Sequence, residues 1–174
     1  MPAALLIIDM QVGLFHGPEK PYDGERIVAN IQRLIAHARA SQVPIFAARH
    51  TGPEGSAIAA GSPFWQLLPA LELDADLDTL FDKSRPNAFH GTQLARQLES
   101  AQVDDLYIVG MKSQFCIDST CRSAADLGFK PLLVVDAHTC MDTAALSAAA
   151  IIQHHNATLG AAFARLITSA EVTF

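Results

Sequence analysis

Five short apolar runs punctuate the chain, and their spacing constrains the fold more than any other feature. They are ALLIID at 4–9, PIFAARH at 44–50, TLFDK at 79–83, DLYIVG at 105–110 and PLLVVD at 131–136. Between them lie segments of helical period. GERIVANIQRLIAHARA places Ile27, Ile31, Leu34, Ile35 and Ala38 on one face, and further helical patterns cover 92–101, 116–127 and a long stretch from about 142 to 165. Gly128 closes the third helix and Pro131 opens the strand after it. RLITSAEV near the C-terminus offers a sixth, short strand. Strands that are apolar along their whole length have both faces covered, and strands alternating with helices pair in parallel. The pattern predicts an α/β fold: a three-layer α/β/α sandwich around a mostly parallel, six-stranded, Rossmann-like sheet.

Composition narrows the function classes. The 174 residues suit one domain spanning 1–174, and half of them are apolar, the profile of a chain that folds. Lys and Arg number 12 against 18 Asp and Glu, a net charge of −6, and no basic cluster follows a phosphate backbone, so nucleic acid is not an expected partner. The apolar start MPAALLIIDMQ has no basic flank and meets Asp9 too early for a signal peptide or a membrane span. Three cysteines, an odd number without a regular framework, suit a reducing compartment. A cytoplasmic protein that does not act on membranes is expected.

In open parallel sheets, ligands bind outside the carboxyl ends of the strands. Three chemistry-bearing positions fall there: Asp9, Lys83 and the segment 111–116 ending at Cys116. Cys116 stands where a strand hands over to a helix, so the helix dipole and a nearby Lys83 would favour its thiolate, the nucleophilic form. Asp9 could take the thiol proton and later pass it to a leaving nitrogen. Each residue also has an ordinary reading: Cys116 as a small buried hydrophobe, Asp9 as a cap, Lys83 as a surface lysine. The long segment 51–78, with three prolines and three glycines, reads as a loop with one helical turn that would shape a site.

Four ordered blocks then carry a resemblance over nearly the whole chain: LLIIDMQ at 5–11, FDKSRPNAFHGTQL at 81–94, IVGMKSQFCIDSTCRSAADLGF at 108–129 and IIQHHNATL at 151–159. The sequence resembles the isochorismatase-like hydrolase superfamily, the cysteine hydrolases. By that resemblance Asp9 is the acid/base, Lys83 the lysine and Cys116 the nucleophile of a catalytic triad. The resemblance also implies a cis peptide at Met111–Lys112, so that the backbone N–H groups of Lys112 and Cys116 would form an oxyanion hole. It implies a homodimer or larger homo-oligomer as well.

Nicotinamidases of that superfamily hold a metal with an Asp-x-His motif, but here ARHTGPEG carries His50 with no Asp two residues before it. No metal and no cofactor are expected. Cys121 lies about 140° around the helix from Cys116 and reads as structural, as does Cys140 in AHTCMD. His154 and His155 are adjacent on a helix and point apart, a poor zinc pair. Candidates for the substrate pocket are Phe15, Trp65, Phe89 and Phe115 as apolar wall, with His50, Gln11 and Asn87 as polar contacts. The leading expectation is a metal-independent hydrolase cleaving a C–N bond of a small amide, carbamoyl or ureido compound through a thioester. The alternatives are a vinyl-ether hydrolase of the isochorismatase type, which works through the acid alone, and a ligand-binding or assembly module without turnover.

Overall fold

The strands form because runs such as Leu5 to Ile8 can bury every side chain only in the middle of a sheet covered on both faces. A computed structural model describes residues 2–174. Strand β1 (Ala3–Ile8) leads through a single turn α1 (Val12–Phe15) to helix α2 (Gly24–Ala40) and strand β2 (Ile45–His50). After the long loop come β3 (Thr79–Lys83), α3 (Leu94–Ser100), β4 (Asp105–Met111), α4 (Asp118–Asp126), β5 (Lys130–Thr139), α5 (Ala148–Ala162) and β6 (Arg165–Ile167). All six strands pair in parallel in the order β3-β2-β1-β4-β5-β6.

Alternation along β1 divides the core in two. Leu5 and Ile7 pack with Ile27, Ile31 and Leu34 of α2. Leu6 and Ile8 point the other way, toward Leu94 and Leu98 of α3, Cys121 and Ala124 of α4, and Leu159 of α5. The period-2 strand and the 3.6-period helices thus give the expected three layers. Gly128, with φ of +92°, ends α4 as a left-handed C-terminal residue. No helix among the described residues is long and apolar enough to cross a membrane.

The last helix is shorter than the sequence pattern suggests. The run from 142 is apolar and alanine-rich, so its period does not mark a start. Polar groups mark it instead: Ser147 accepts from the Ala150 N–H at 3.3 Å, and Asp142 Oδ1 accepts from the Ala148 N–H at 2.7 Å. The chain therefore enters α5 only at Ala148.

The order of the strands fixes where a ligand can sit. From β1 the chain winds outward through β2 to β3, then returns to β4 on the other side of β1. The crevice between the carboxyl ends of β1 and β4 is the topological switch point. The 51–78 loop closes over this end: its backbone pairs with the segment after β1, through Leu68 N–H to Met10 O, Val12 N–H to Gln66 O and Gly13 N–H to Phe64 O, each 2.8 Å.

Candidate active site

Asp9 follows directly from β1 and has φ of +52°, an uncommon backbone for a non-glycine residue that recurs at functional sites. Its amide donates to Ala48 O at 3.1 Å and its carbonyl accepts from Gln11 N–H at 2.8 Å, which holds the turn. Lys83 ends β3, and the parallel register pairs it with His50 at the end of β2. Cys116 lies in one π-helical turn, Ser113–Ile117, that joins β4 to α4. The Met111–Lys112 peptide bond ahead of that turn is cis.

These side chains converge on one ammonium group. Lys83 Nζ lies 2.8 Å from Asp9 Oδ2, 3.2 Å from Arg85 O, 3.2 Å from His50 Nδ1 and 3.4 Å from Cys116 Sγ. The Asp9–Lys83 ion pair is buried, the two side chains being 1% and 0% exposed. The donor atoms of Asp9, His50 and Cys116 lie within 4.8 Å of one another, a spacing that can hold a metal ion. The ammonium already bonds to all three and supplies the positive charge there. One acceptor is left over: Asp9 Oδ1 is buried and has no hydrogen-bond partner among the described residues.

Burial decides the protonation states. It raises the Asp9 carboxyl above its ordinary range, while the Lys83 ammonium and a hydrogen bond to Cys116 pull it back down. Burial, with the Asp9 charge added, pushes the Cys116 thiol up to about 12, and Lys83 only partly offsets this. The expected thiolate is therefore not the resting form. The helix start favours it, but desolvation and a carboxylate next door disfavour it more.

A cavity of about 310 Å³ opens onto the cluster, lined by Asp9, Leu14, His50, Ile58, Pro86, Lys112, Phe115 and Cys116. That is the size of a small-molecule site. Of the residues expected in a pocket, Phe115 and His50 line it. Gln11 is fully buried and spends its amide on backbone: Nε2 donates to His50 O at 3.0 Å and Trp65 O at 2.8 Å, and Oε1 accepts from His50 N–H at 2.8 Å. Trp65 donates from its indole to Thr51 Oγ1 at 2.8 Å, with the Arg49 guanidinium 3.8 Å over its ring. Phe15 packs against the α2 side of the core, and Phe89 stacks on Phe129 at 5.8 Å. Asn87 Oδ1 accepts from Phe89 N–H at 3.0 Å, a local turn. These residues build the frame around the cavity.

Leu14, Ile58 and Pro86 complete the wall and were not anticipated. Pro86 and Leu14 follow strand ends that already carried Lys83 and Asp9, a positional signal. Nothing local marks Ile58, because the course of the 51–78 loop brings it there. Cys121 and Cys140 are both fully buried, Cys121 in the core and Cys140 against Ala148 and Ile151. His155 pairs with Asp118 at 3.1 Å, and its ring meets that of His154 edge-on.

Fold and cluster together define a class: a doubly wound α/β protein with thiol, carboxylate and ammonium gathered at its switch point. The chain belongs to the isochorismatase family, whose isochorismatase domain model matches residues 3–171. Its structure resembles that of an isochorismatase from Pseudomonas putida KT2440, with a TM-score of 0.93 and 34% identity over 99% of this chain and 90% of the other. Among curated relatives, streptothricin hydrolase of Streptomyces noursei is 29% identical over 139 residues, 80% of this chain and 50% of that protein. N-carbamoylsarcosine amidase of an Arthrobacter species is 28% identical over 126 residues, 63% of this chain and 48% of the relative. The chain thus spans about half the length of both curated relatives. Its family is one of hydrolases that includes amidases.

Proposed function

We propose that this protein is a metal-independent cysteine hydrolase that cleaves a C–N bond of a small amide, carbamoyl or ureido compound through a thioester on Cys116. The observation that carries this reading is the Lys83 ammonium bridging Asp9 Oδ2 and Cys116 Sγ while Asp9 Oδ1 stays free as an acceptor. The amidase relative supports a C–N bond as the target, and the cavity's size supports a small one.

With burial and the Asp9 charge pushing the thiol up to about 12, Cys116 rests as the thiol at neutral pH, so proton removal accompanies attack. Burial makes Asp9 a stronger base than an exposed aspartate and so suits it to this transfer. As the sulfur lone pair forms the C–S bond, the thiol proton passes to Asp9 and the carbonyl electron pair moves onto oxygen. The N–H groups of Lys112 and Cys116 hold that oxyanion. The carbonyl re-forms, the C–N bond breaks, and the Asp9 proton goes to the departing nitrogen. Water then attacks the thioester and gives its proton to Asp9. The C–S bond breaks, sulfur takes the proton back, and the acid leaves. The Lys83 charge pulls the Asp9 carboxyl back toward its ionised form between these steps.

The test is intact-mass spectrometry of samples quenched during turnover of a panel of primary amides and ureides. An acyl adduct on Cys116, absent in Cys116→Ala along with turnover, is the expected result. A Cys116→Ala enzyme that still hydrolysed these amides would overturn the thioester scheme.

A further inference from the structure

We infer that His50 is the substrate-orienting donor of this cavity: its ring is fixed as the neutral Nε2–H tautomer, and that N–H binds a carbonyl or carboxylate acceptor on the acyl side of the substrate. The inference rests on the hydrolase reading of the site and adds the class of acyl group it accepts.

The tautomer follows from hydrogen-bond roles. An ammonium has three N–H donors and no acceptor. Lys83 Nζ shares its three protons among Asp9 Oδ2, Arg85 O, His50 Nδ1 and Cys116 Sγ and can only donate to each of them. His50 Nδ1 can face an ammonium at 3.2 Å only with its lone pair. The single ring proton of a neutral imidazole then sits on Nε2. Partial burial and the Lys83 charge both hold the ring below its ordinary pKa, which keeps it neutral, with Asp9 opposing them more weakly.

The ring is also held in place. Gln11 clamps the His50 backbone from both sides, accepting its N–H and donating to its carbonyl, and the Thr51 N–H bonds Lys83 O at 2.7 Å. His50 lines the cavity, and none of the described residues accepts a hydrogen bond from Nε2. A preorganised donor with no protein partner beside the nucleophile is what a site uses to orient a substrate.

The unpartnered donor sets the kind of acceptor. Asp9 and Lys83 form an ion pair and His50 is neutral, which leaves the His50 N–H as a donor seeking an acceptor from the substrate. An amide whose acyl part carries a carboxylate or second carbonyl supplies one. An ammonium on the acyl part has no acceptor to offer the His50 N–H.

Two measurements test the proposal. In protein labelled with ¹⁵N-histidine, long-range proton–nitrogen correlation spectra report the tautomer directly, the His50 signals being those missing in His50→Gln. Expected is a proton on Nε2, and a proton on Nδ1 overturns the proposal. Kinetics then compare malonamate, its near-isostere 3-methylbutanamide, and glycinamide. The wild type should prefer malonamate over 3-methylbutanamide by about 10- to 100-fold in kcat/KM, the range for one hydrogen bond to a charged group, with glycinamide slowest. His50→Leu should bring the first ratio close to one, mainly by raising KM for malonamate. His50→Gln, whose amide nitrogen reaches near the same point, should restore part of it. An equal preference in wild type, or a ratio unchanged in His50→Leu, overturns the assignment. Acylation of Cys116 by p-nitrophenyl acetate, followed by mass, reports on the nucleophile alone, so failure of the hydrolase reading is told apart from failure of the His50 role.

Discussion

Replacing Lys83 with Met tests the electrostatic argument most directly. Met fills similar volume but removes the charge, so Asp9 loses its 2.8 Å partner while remaining 99% buried. Its Oδ1 has no hydrogen bond to begin with, so only the Cys116 thiol is left to the buried carboxylate. Removing one member of a buried pair costs about 3–5 kcal/mol. For a chain of this length, at roughly 2–4 °C per kcal/mol, the melting temperature should fall by about 6–20 °C at neutral pH. The pH dependence has a definite sign. Burial already raises the Asp9 carboxyl, and loss of the Lys83 charge raises it further, so the folded variant binds a proton more tightly than its unfolded chain does. Such a group stabilises below its unfolded pKa, and that stability is lost as pH rises through the folded value. The deficit relative to wild type should therefore shrink as pH falls toward 4–5, where Asp9 in the variant is protonated. Urea denaturation of both proteins at pH 4.5, 6 and 7.5 measures it. A deficit that is flat with pH, or a variant as stable as wild type at pH 7.5, would refute the buried-pair account. Turnover should also fall steeply, because a protonated Asp9 cannot accept the thiol proton.

Three further outcomes follow from other parts of the structure. Alkylation of native protein by iodoacetamide should label Cys116 ahead of the fully buried Cys121 and Cys140, with a rate still climbing with pH beyond 10 because the thiol is pushed up to about 12; a plateau near pH 8–9 would contradict this. Gly110→Ala should lower the melting temperature by more than about 10 °C or prevent folding, since its Cβ would lie 2.1 Å from Ile8 O on the neighbouring strand and its φ is +119°; a variant melting within about 2 °C of wild type would refute this. His138, fully buried and bonded at 2.8 Å to both Ser113 Oγ and Asn156 Oδ1, has a pKa lowered to about 4 by burial. The unfolded chain therefore takes up a proton that the fold refuses between about pH 6.5 and 4, and up to about 3 kcal/mol of stability should be lost over that fall in pH; His138→Gln should flatten the slope in denaturation experiments.

What was legible in the sequence was whatever depends on local period and strand ends. Leu5 to Ile8 announce a doubly covered strand because every side chain in the run is apolar, and the six-stranded sandwich follows from repeating that pattern. Asp9, Lys83 and Cys116 stand out because polar groups at strand ends gather at a switch point. The cavity wall was less legible. Ile58 is held by a backbone bond within the loop, its carbonyl accepting from Gly52 N–H at 3.0 Å, and backbone bonds leave no signature in residue type. Gln11 looked like a substrate contact because it is polar beside Asp9, yet its amide is used up on His50 and Trp65. The thiolate expectation weighed the helix start and Lys83, which local sequence shows, but not the desolvation of Cys116, which depends on tertiary packing.

Desolvation of Asp9 explains in turn how one carboxylate can serve two opposite steps. In the proposed cycle Asp9 must accept a proton from a thiol pushed up to about 12 and then surrender it to nitrogen, so it must be neither an ordinary surface acid nor a group that stays protonated. Burial alone would raise it until it stayed neutral, and the Lys83 pair alone would lower it until it was too weak a base. The two effects oppose each other on the same side chain, one set by β1 lying in the middle of the sheet and the other by β3 ending two strands away. Sheet order is therefore part of the chemistry. A lysine on β2, the adjacent strand, would take the place of His50, which here accepts from the ammonium and keeps its own N–H toward the cavity. Placing the cation one strand farther out leaves room for both.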